Sequence, residues 1–220
     1  MELKRFVGVE GGRGSHEGHH NAAMTIILAS TSRYRAALLA RLGVQFEVAA
    51  PGVEEVAHDG EPGDAMAKRL AREKALAVSA RFPDAVVIGS DQVAICATRR
   101  LGKPGTAEAA LAQLQHQRGQ LTDFFTAVCF ARGPAVLWED TVTTQVRWRE
   151  ASVLTDAVLA RYVEIEQPLD CAGAAKSEGL GLALVARIDS ADPTALIGLP
   201  LISCQTALTR LGLSPLHPRA

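Results

Sequence analysis

Two short, uninterrupted apolar runs constrain this chain more than any other feature. Thr25 to Ser30 (TIILAS) and Asp84 to Ser90 (DAVVIGS) each read as a strand buried in the interior of a sheet, which requires helices to cover it. Helical patterns stand where that requirement puts them. After the first run, Ser30, Thr31 and Ser32 offer N-cap side chains, Ala36, Leu38, Leu39 and Leu42 an apolar face, and Gly43 a C-terminal cap. Val44 to Ala49 alternates as a second strand, closed by Pro51 and Gly52, and a longer helix is predicted from about Gly63 to Phe82. The second run then ends at Asp91, where the strand is expected to give way to a turn, a place from which polar side chains commonly face a site.

Downstream, Thr106 caps a predicted helix reaching about Arg118. The stretches Leu121 to Ala131 and Ala135 to Arg149, joined through Gly133 and Pro134, form a predicted hairpin. Thr155 and Asp156 open another helix, Gly181 to Ile188 reads as a strand, and Pro200 starts a last helix that ends near Gly212. A βαβ opening followed by a hairpin gives an α/β fold: a mixed, twisted sheet with helices on its faces. No linker divides residues 24–213, which are read as one domain. Residues 1–23, rich in Gly and His and without apolar periodicity, read as a flexible extension, with Met24 a candidate start, and residues 214–220 as a C-terminal tail. His16, His19 and His20 fall in that extension and are read as incidental rather than metal-binding.

Net charge restricts the partners. With 23 basic and 24 acidic residues, the net charge of -1 supplies no field that would draw the chain onto nucleic acid or an anionic membrane, so any phosphate binding must be local. A hydrophobic share of 48% against 21% charged residues excludes a disordered chain. No apolar stretch is long enough to span a bilayer. Cys96, Cys129, Cys171 and Cys204 stand singly, without metal or redox spacing, and read as core thiols of a reducing compartment, which makes the cytoplasm the expected location. Trp138 and Trp148 read as packing residues, because no basic patch accompanies them as in a nucleic-acid platform.

Several clusters carry chemistry. Ser30-Thr31-Ser32-Arg33-Tyr34-Arg35 lies between a strand and a helix start, where free N–H groups and the helix dipole favour phosphate; the same hydroxyls serve equally as ordinary caps. Asp91 must be buried and paired or turned into a cleft, and Glu55 in its loop is a second oxygen donor suited to Mg or Mn, or else a solvated charge. Lys74 on the long helix and Lys103 between Gly102 and Pro104 can reach phosphate oxygens as point charges. Lys176-Ser177-Glu178 sits in the Gly-rich segment 171–181, which permits a close approach to a ligand or forms a plain surface loop. There is no P-loop, no G-x-G-x-x-G and no nucleophile elbow.

In this order, LASTSRYRAALLARLGVQFEVAAPGVEE, LAREKALAVSARFPDAVVIGSDQVAICATRRLGKP, LDCAGAAKSEGLG and DPTALIGLPL resemble the Maf family over about residues 25–212. The segment Gly89-Ser90-Asp91-Gln92-Val93 and Lys176-Ser177-Glu178 are similar to the branch that hydrolyses 7-methyl-GTP. The resemblance implies an ITPase-like fold with a cleft between two lobes, and a nucleotide substrate cleaved to monophosphate and pyrophosphate by water attack at the α-phosphorus. It implies Asp91 as proton acceptor and Glu55 with Asp91 at a divalent cation. Ser30, Ser32, Arg35, Lys74, Lys103 and Lys176 then hold phosphates, and Tyr34, Gln92 and Glu178 select the base.

A 7-methylguanine ring carries positive charge, which an aromatic face and a carboxylate both favour. The other readings are a pyrophosphatase for dTTP, UTP, CTP or another modified nucleotide, and a non-enzymatic binding protein, the family name being tied to septum formation. A homodimer is in keeping with a compact enzyme of this size. The chain departs from the family pattern in four places. Arg33 stands for a proline, a basic pair is reduced to Arg35, Phe125-Thr126-Ala127 ends in Ala where glycine is usual, and Arg118-Gly119 replaces Ser-Gly. Arg33 and Ala127 bear most directly on the geometry of the substrate loops.

Overall fold

The two apolar runs lie side by side. In the computed structural model, which describes residues 4–6 and 24–216, β2 (Ile26–Ala29) pairs in parallel with β4 (Val86–Cys96), from Ile26 opposite Val86 to Ala29 opposite Gly89. β3 (Phe46–Ala49) joins β2 on its other side in parallel, and β1 (Lys4–Phe6) closes that edge antiparallel to β3. Three residues of the segment read as an extension thus form a strand; His16, His19 and His20 lie outside the described residues. Beyond β4 the sheet continues antiparallel through the predicted hairpin, β6 (Leu121–Arg132) and β7 (Ala135–Trp148), to β8 (Val185–Ser190), while β5 (Arg99–Leu101) folds back onto β4. The mixed sheet expected from the sequence is present.

Period-two alternation assigns the side chains of β2 and β4 to two cores. Ile26, Leu28, Val86 and Ile88 pack on one face with α1 (Arg33–Ala40) and α5 (Leu201–Arg210). Ile27, Ala29 and Val87 face α2 (Gly63–Ser79) on the other. Each Ile, Leu or Val among them contributes about 1.5–3 kcal/mol when fully buried. A third core gathers α3 (Ala107–Gln117), α4 (Asp156–Glu166), the far end of β4, and Phe124, Val146 and Trp148, and makes a second lobe. Trp148 is fully buried and donates its indole N–H to Thr122 Oγ1 at 2.9 Å, a packing role as read.

Caps fall where the sequence puts them. Ser32, Thr106 and Thr155 accept backbone N–H groups of Arg35, Ala109 and Val158, each contact contributing about 1 kcal/mol.

Three expectations need correction. The strand does not turn at Asp91; β4 runs to Cys96, paired with β6 from Asp91 opposite Ala127 to Cys96 opposite Thr122. The polar residues that suggested a turn are sustained inside the strand by buried partners contributed from elsewhere in the chain. The last strand begins at Val185 rather than Gly181, because Leu180–Leu184 coils as a 3-10 helix. Gly181 is folded so tightly over Lys176 that a Cβ there would stand 2.4 Å from the Lys176 carbonyl oxygen. Cys171 is the third: it is half-exposed, unlike the buried Cys96, Cys129 and Cys204. At the C-terminus, Ser214 is buried and receives a hydrogen bond from Gln205, so packing reaches into the segment read as a tail; residues 217–220 lie outside the described residues.

Candidate active site

A cleft of about 500 Å³ opens between the two lobes, bounded by the strand-to-helix turn after β2, the middle of β4, the 100–103 turn, the 170–178 loop and the 196–198 turn. Its floor is an ion-pair cluster. Lys74 Nζ donates to Asp91 Oδ1 at 2.5 Å and to Glu55 Oε1 at 2.6 Å. Lys74 and Asp91 are 3% and 4% exposed, so the pair is held in a low dielectric where loss of Lys74 would leave the buried carboxylate without its hydrogen-bonded cation.

Gly89 makes that contact possible. It lets the backbone of α2 pack directly on β4, with Ala71 and Ala75 pressed against the Gly89 Cα, and this sets Lys74 above Asp91 two residues further along the strand.

Burial raises the Asp91 carboxyl above its ordinary pKa, against the opposing pull of Lys74 and Arg35. Glu55 behaves oppositely: burial would raise it, but the Lys74 hydrogen bond and the charges of Lys74, Lys103 and Arg35 hold it below its usual value. Burial lowers Arg35, which Asp91 and Glu55 partly offset, and its Nε donates to the Gly198 carbonyl at 2.8 Å. Three cations therefore face two carboxylates, a surplus that suits a polyphosphate. At the head of α1, Ser30 Oγ accepts the Ser32 N–H at 3.1 Å and Ser32 Oγ accepts the Arg35 N–H at 3.4 Å. Ser32 caps α1 and also lines the cleft.

Asp91 Oδ2 and Glu55 Oε2 form no hydrogen bond among the described residues, and no group of three or more His, Cys, Asp or Glu converges there. Two hard oxygen donors without a full cage fit a Mg or Mn ion that shares its ligands with substrate phosphates.

A second cluster lines the rest of the cleft. Tyr34 Oη donates to Asp170 Oδ1 at 3.3 Å and accepts from Arg33 Nη2 at 2.8 Å, and burial pushes the phenol up. Gln92 Nε2 is turned inward to Thr126 Oγ1 and the carbonyls of Ala195 and Leu196, at 3.0, 3.0 and 3.1 Å. Glu178 lines the same wall, as does Cys171, whose thiol burial pushes up to about 12.

Of the residues singled out in the sequence, Ser30, Ser32, Tyr34, Arg35, Glu55, Lys74, Asp91, Gln92, Lys103 and Glu178 all line this cleft. Lys176 does not: its Nζ is paired with Glu166 Oε2 at 2.6 Å. Sequence reasoning missed Arg100, Asp170 and the Gly198 carbonyl, which accepts from both Arg35 and Ser90. All three lie within the segments that resemble the family, with no local feature to distinguish them.

A hydroxyl-rich strand-to-helix turn beside a buried Lys74–Asp91 pair, which the half-exposed Glu55 joins, fits a nucleotide-handling α/β protein. The sequence profile of the Maf-like protein family matches residues 25–211, and the chain belongs to that family. A protein named 7-methyl-GTP pyrophosphatase from Albidiferax ferrireducens is 52% identical over 180 residues, covering 80% of this chain and 88% of its own. One of the same name from Burkholderia lata is 53% identical over 191 residues, covering 84% and 87%. Among solved structures, a HAM1 protein from Coxiella burnetii overlaps 57% of this chain and 73% of its own at 12% identity with a TM-score of 0.36, a likeness too slight to bear on the site.

Proposed function

We propose that this protein hydrolyses a nucleoside triphosphate, 7-methyl-GTP, to the monophosphate and pyrophosphate. The observation that carries the reading is the buried Lys74–Asp91 pair on the floor of a cleft whose remaining wall presents Tyr34, Gln92 and Glu178. The relatives' names set the substrate.

Water attacks the α-phosphorus as the bond to the bridging oxygen of the pyrophosphate breaks, and the water's proton passes to the Asp91 carboxylate. Burial makes Asp91 a stronger base than an exposed aspartate, while its bond to Lys74 keeps it oriented. Lys74, Lys103 and Arg35 offset the charge that builds on the phosphate oxygens, and the α1 N-terminus with Ser30 and Ser32 receives the polyphosphate. Glu55 and Asp91 would hold a divalent cation, which would supply further charge neutralisation at the phosphates. Gln92 spends its amide N–H groups on Thr126, Ala195 and Leu196, which leaves its carbonyl oxygen to accept from the N–H edge of guanine.

No helix among the described residues is long and apolar enough to cross a membrane, and the nucleotide pool that this activity addresses is cytoplasmic. Pyrophosphate release with Mg or Mn, comparing 7-methyl-GTP with GTP, dTTP, UTP and CTP, tests the proposal. Faster turnover of any of the other four would move the substrate; no turnover of any would sink the activity.

A further inference from the structure

Arg33, Tyr34 and Asp170 meet at the rim of the cleft and join the two lobes, the first two opening α1 and the third following α4. The Arg33 guanidinium carbon stands 4.8 Å over the Tyr34 ring centroid, and its Nη2 lies 3.6 Å from Asp170 Oδ2. A planar cation on an aromatic face, beside a carboxylate, is the arrangement by which proteins recognise a positively charged ring. Here the cation belongs to the protein itself. We propose that Arg33 occupies the subsite of a cationic nucleobase in the free protein, and that Asp170 is a further specificity-determining residue that selects the charged base by exchanging Arg33 for it. The inference rests on the reading of 7-methyl-GTP as substrate.

The exchange is feasible because both charged side chains are largely in water, 75% and 51% exposed for Arg33 and Asp170, and a pair so exposed is weak. An uncharged guanine gains the stacking but leaves Asp170 dependent on Arg33. A 7-methylguanine brings its own charge and satisfies both Tyr34 and Asp170, so the preference comes from the replaced ion pair. The neighbouring Cys171 stays a neutral thiol and adds no competing charge. Glu178, on the same wall, adds negative potential of the same sign.

The test is calorimetric binding of 7-methyl-GMP and GMP to the wild type, Asp170→Asn and Arg33→Gln at mildly acidic pH, where the methylated ring keeps its N1 proton and positive charge. The amide of Asp170→Asn still accepts from Tyr34 Oη, so only the charge is removed. The ratio of the two affinities should fall about three- to fivefold in that variant. Arg33→Gln should tighten 7-methyl-GMP about twofold relative to GMP. A wild type without preference, an unchanged ratio in Asp170→Asn, or weaker 7-methyl-GMP binding by Arg33→Gln overturns the inference. If the wild type fails to turn over 7-methyl-GTP yet shows these binding shifts, the proposed reaction fails and the subsite stands.

Discussion

Replacing Gly89 with Ala tests whether the packing of α2 on β4 sets the active-site geometry. The new Cβ would stand 2.2 Å from the Ala71 carbonyl oxygen and 2.6 Å from the Ala75 nitrogen. Both atoms are helix backbone, which cannot rotate aside as a side chain can, so α2 must retreat by about 1 Å to restore van der Waals separation. Such overpacking costs about 1–3 kcal/mol of stability. Ala71 and Ala75 flank Lys74 on the same turn, so the ammonium, now 2.5 Å from Asp91 Oδ1, is carried away with them. A displacement of about 1 Å in a catalytic constellation lowers turnover by about 100-fold. Urea unfolding reads the first effect and steady-state pyrophosphate release the second. Gly102→Ala is the steric control, since nothing lies within 4 Å of its added Cβ, and its stability should change by no more than about 0.5 kcal/mol. Wild-type turnover and an unshifted midpoint in Gly89→Ala would refute the reasoning.

Four further outcomes follow from the same geometry. Asp91→Asn should abolish turnover with the fold intact by circular dichroism. In the wild type the acid limb of kcat/KM should lie above 3.8, the ordinary value for aspartate, because the raised Asp91 is protonated sooner as pH falls. Lys74→Met should cost about 3 kcal/mol at neutral pH by leaving a buried carboxylate unpaired. Its penalty belongs to ionised Asp91, whose folded pKa stands above the unfolded one, so stability in that variant should recover as pH falls toward the unfolded value and Asp91 is protonated; a deficit independent of pH would contradict this. Lys176→Ala should change KM by less than about threefold, because the lysine is held by Glu166 and does not line the cleft; a tenfold rise would restore it to the phosphate site.

How much of this was legible in the sequence depends on how local the determining physics is. Caps and short buried strands are local: Ser32, Thr106 and Thr155 act within three residues of themselves, and the runs at 26–29 and 86–90 carry their own burial pattern. The 3-10 helix at Leu180–Leu184 was not legible, because its apolar content resembles a strand and the fold of Gly181 over Lys176 decides against one. Lys176 shows the same limit in the site. A lysine in a Gly-rich segment invites a phosphate reading, but Glu166 on α4 is ten residues away and captures it.

Asp91 shows why the strand was misjudged although the residue was expected to be buried and paired or turned into a cleft. A carboxylate inside a buried strand is prohibitive unless a charge reaches it from another element, and nothing in the Ser90-Asp91-Gln92 pattern announces such a charge. The partner, Lys74, is 17 residues earlier on a helix, and its approach depends on the missing side chain of Gly89. All three polar residues have distant partners: the packed helix brings Lys74 to Asp91, and the 195–198 backbone receives Ser90 and Gln92. A polar triplet interrupting a buried run therefore carries two readings, a turn or a site within a strand. A glycine placed to admit a helix one strand-step before the carboxylate favours the second.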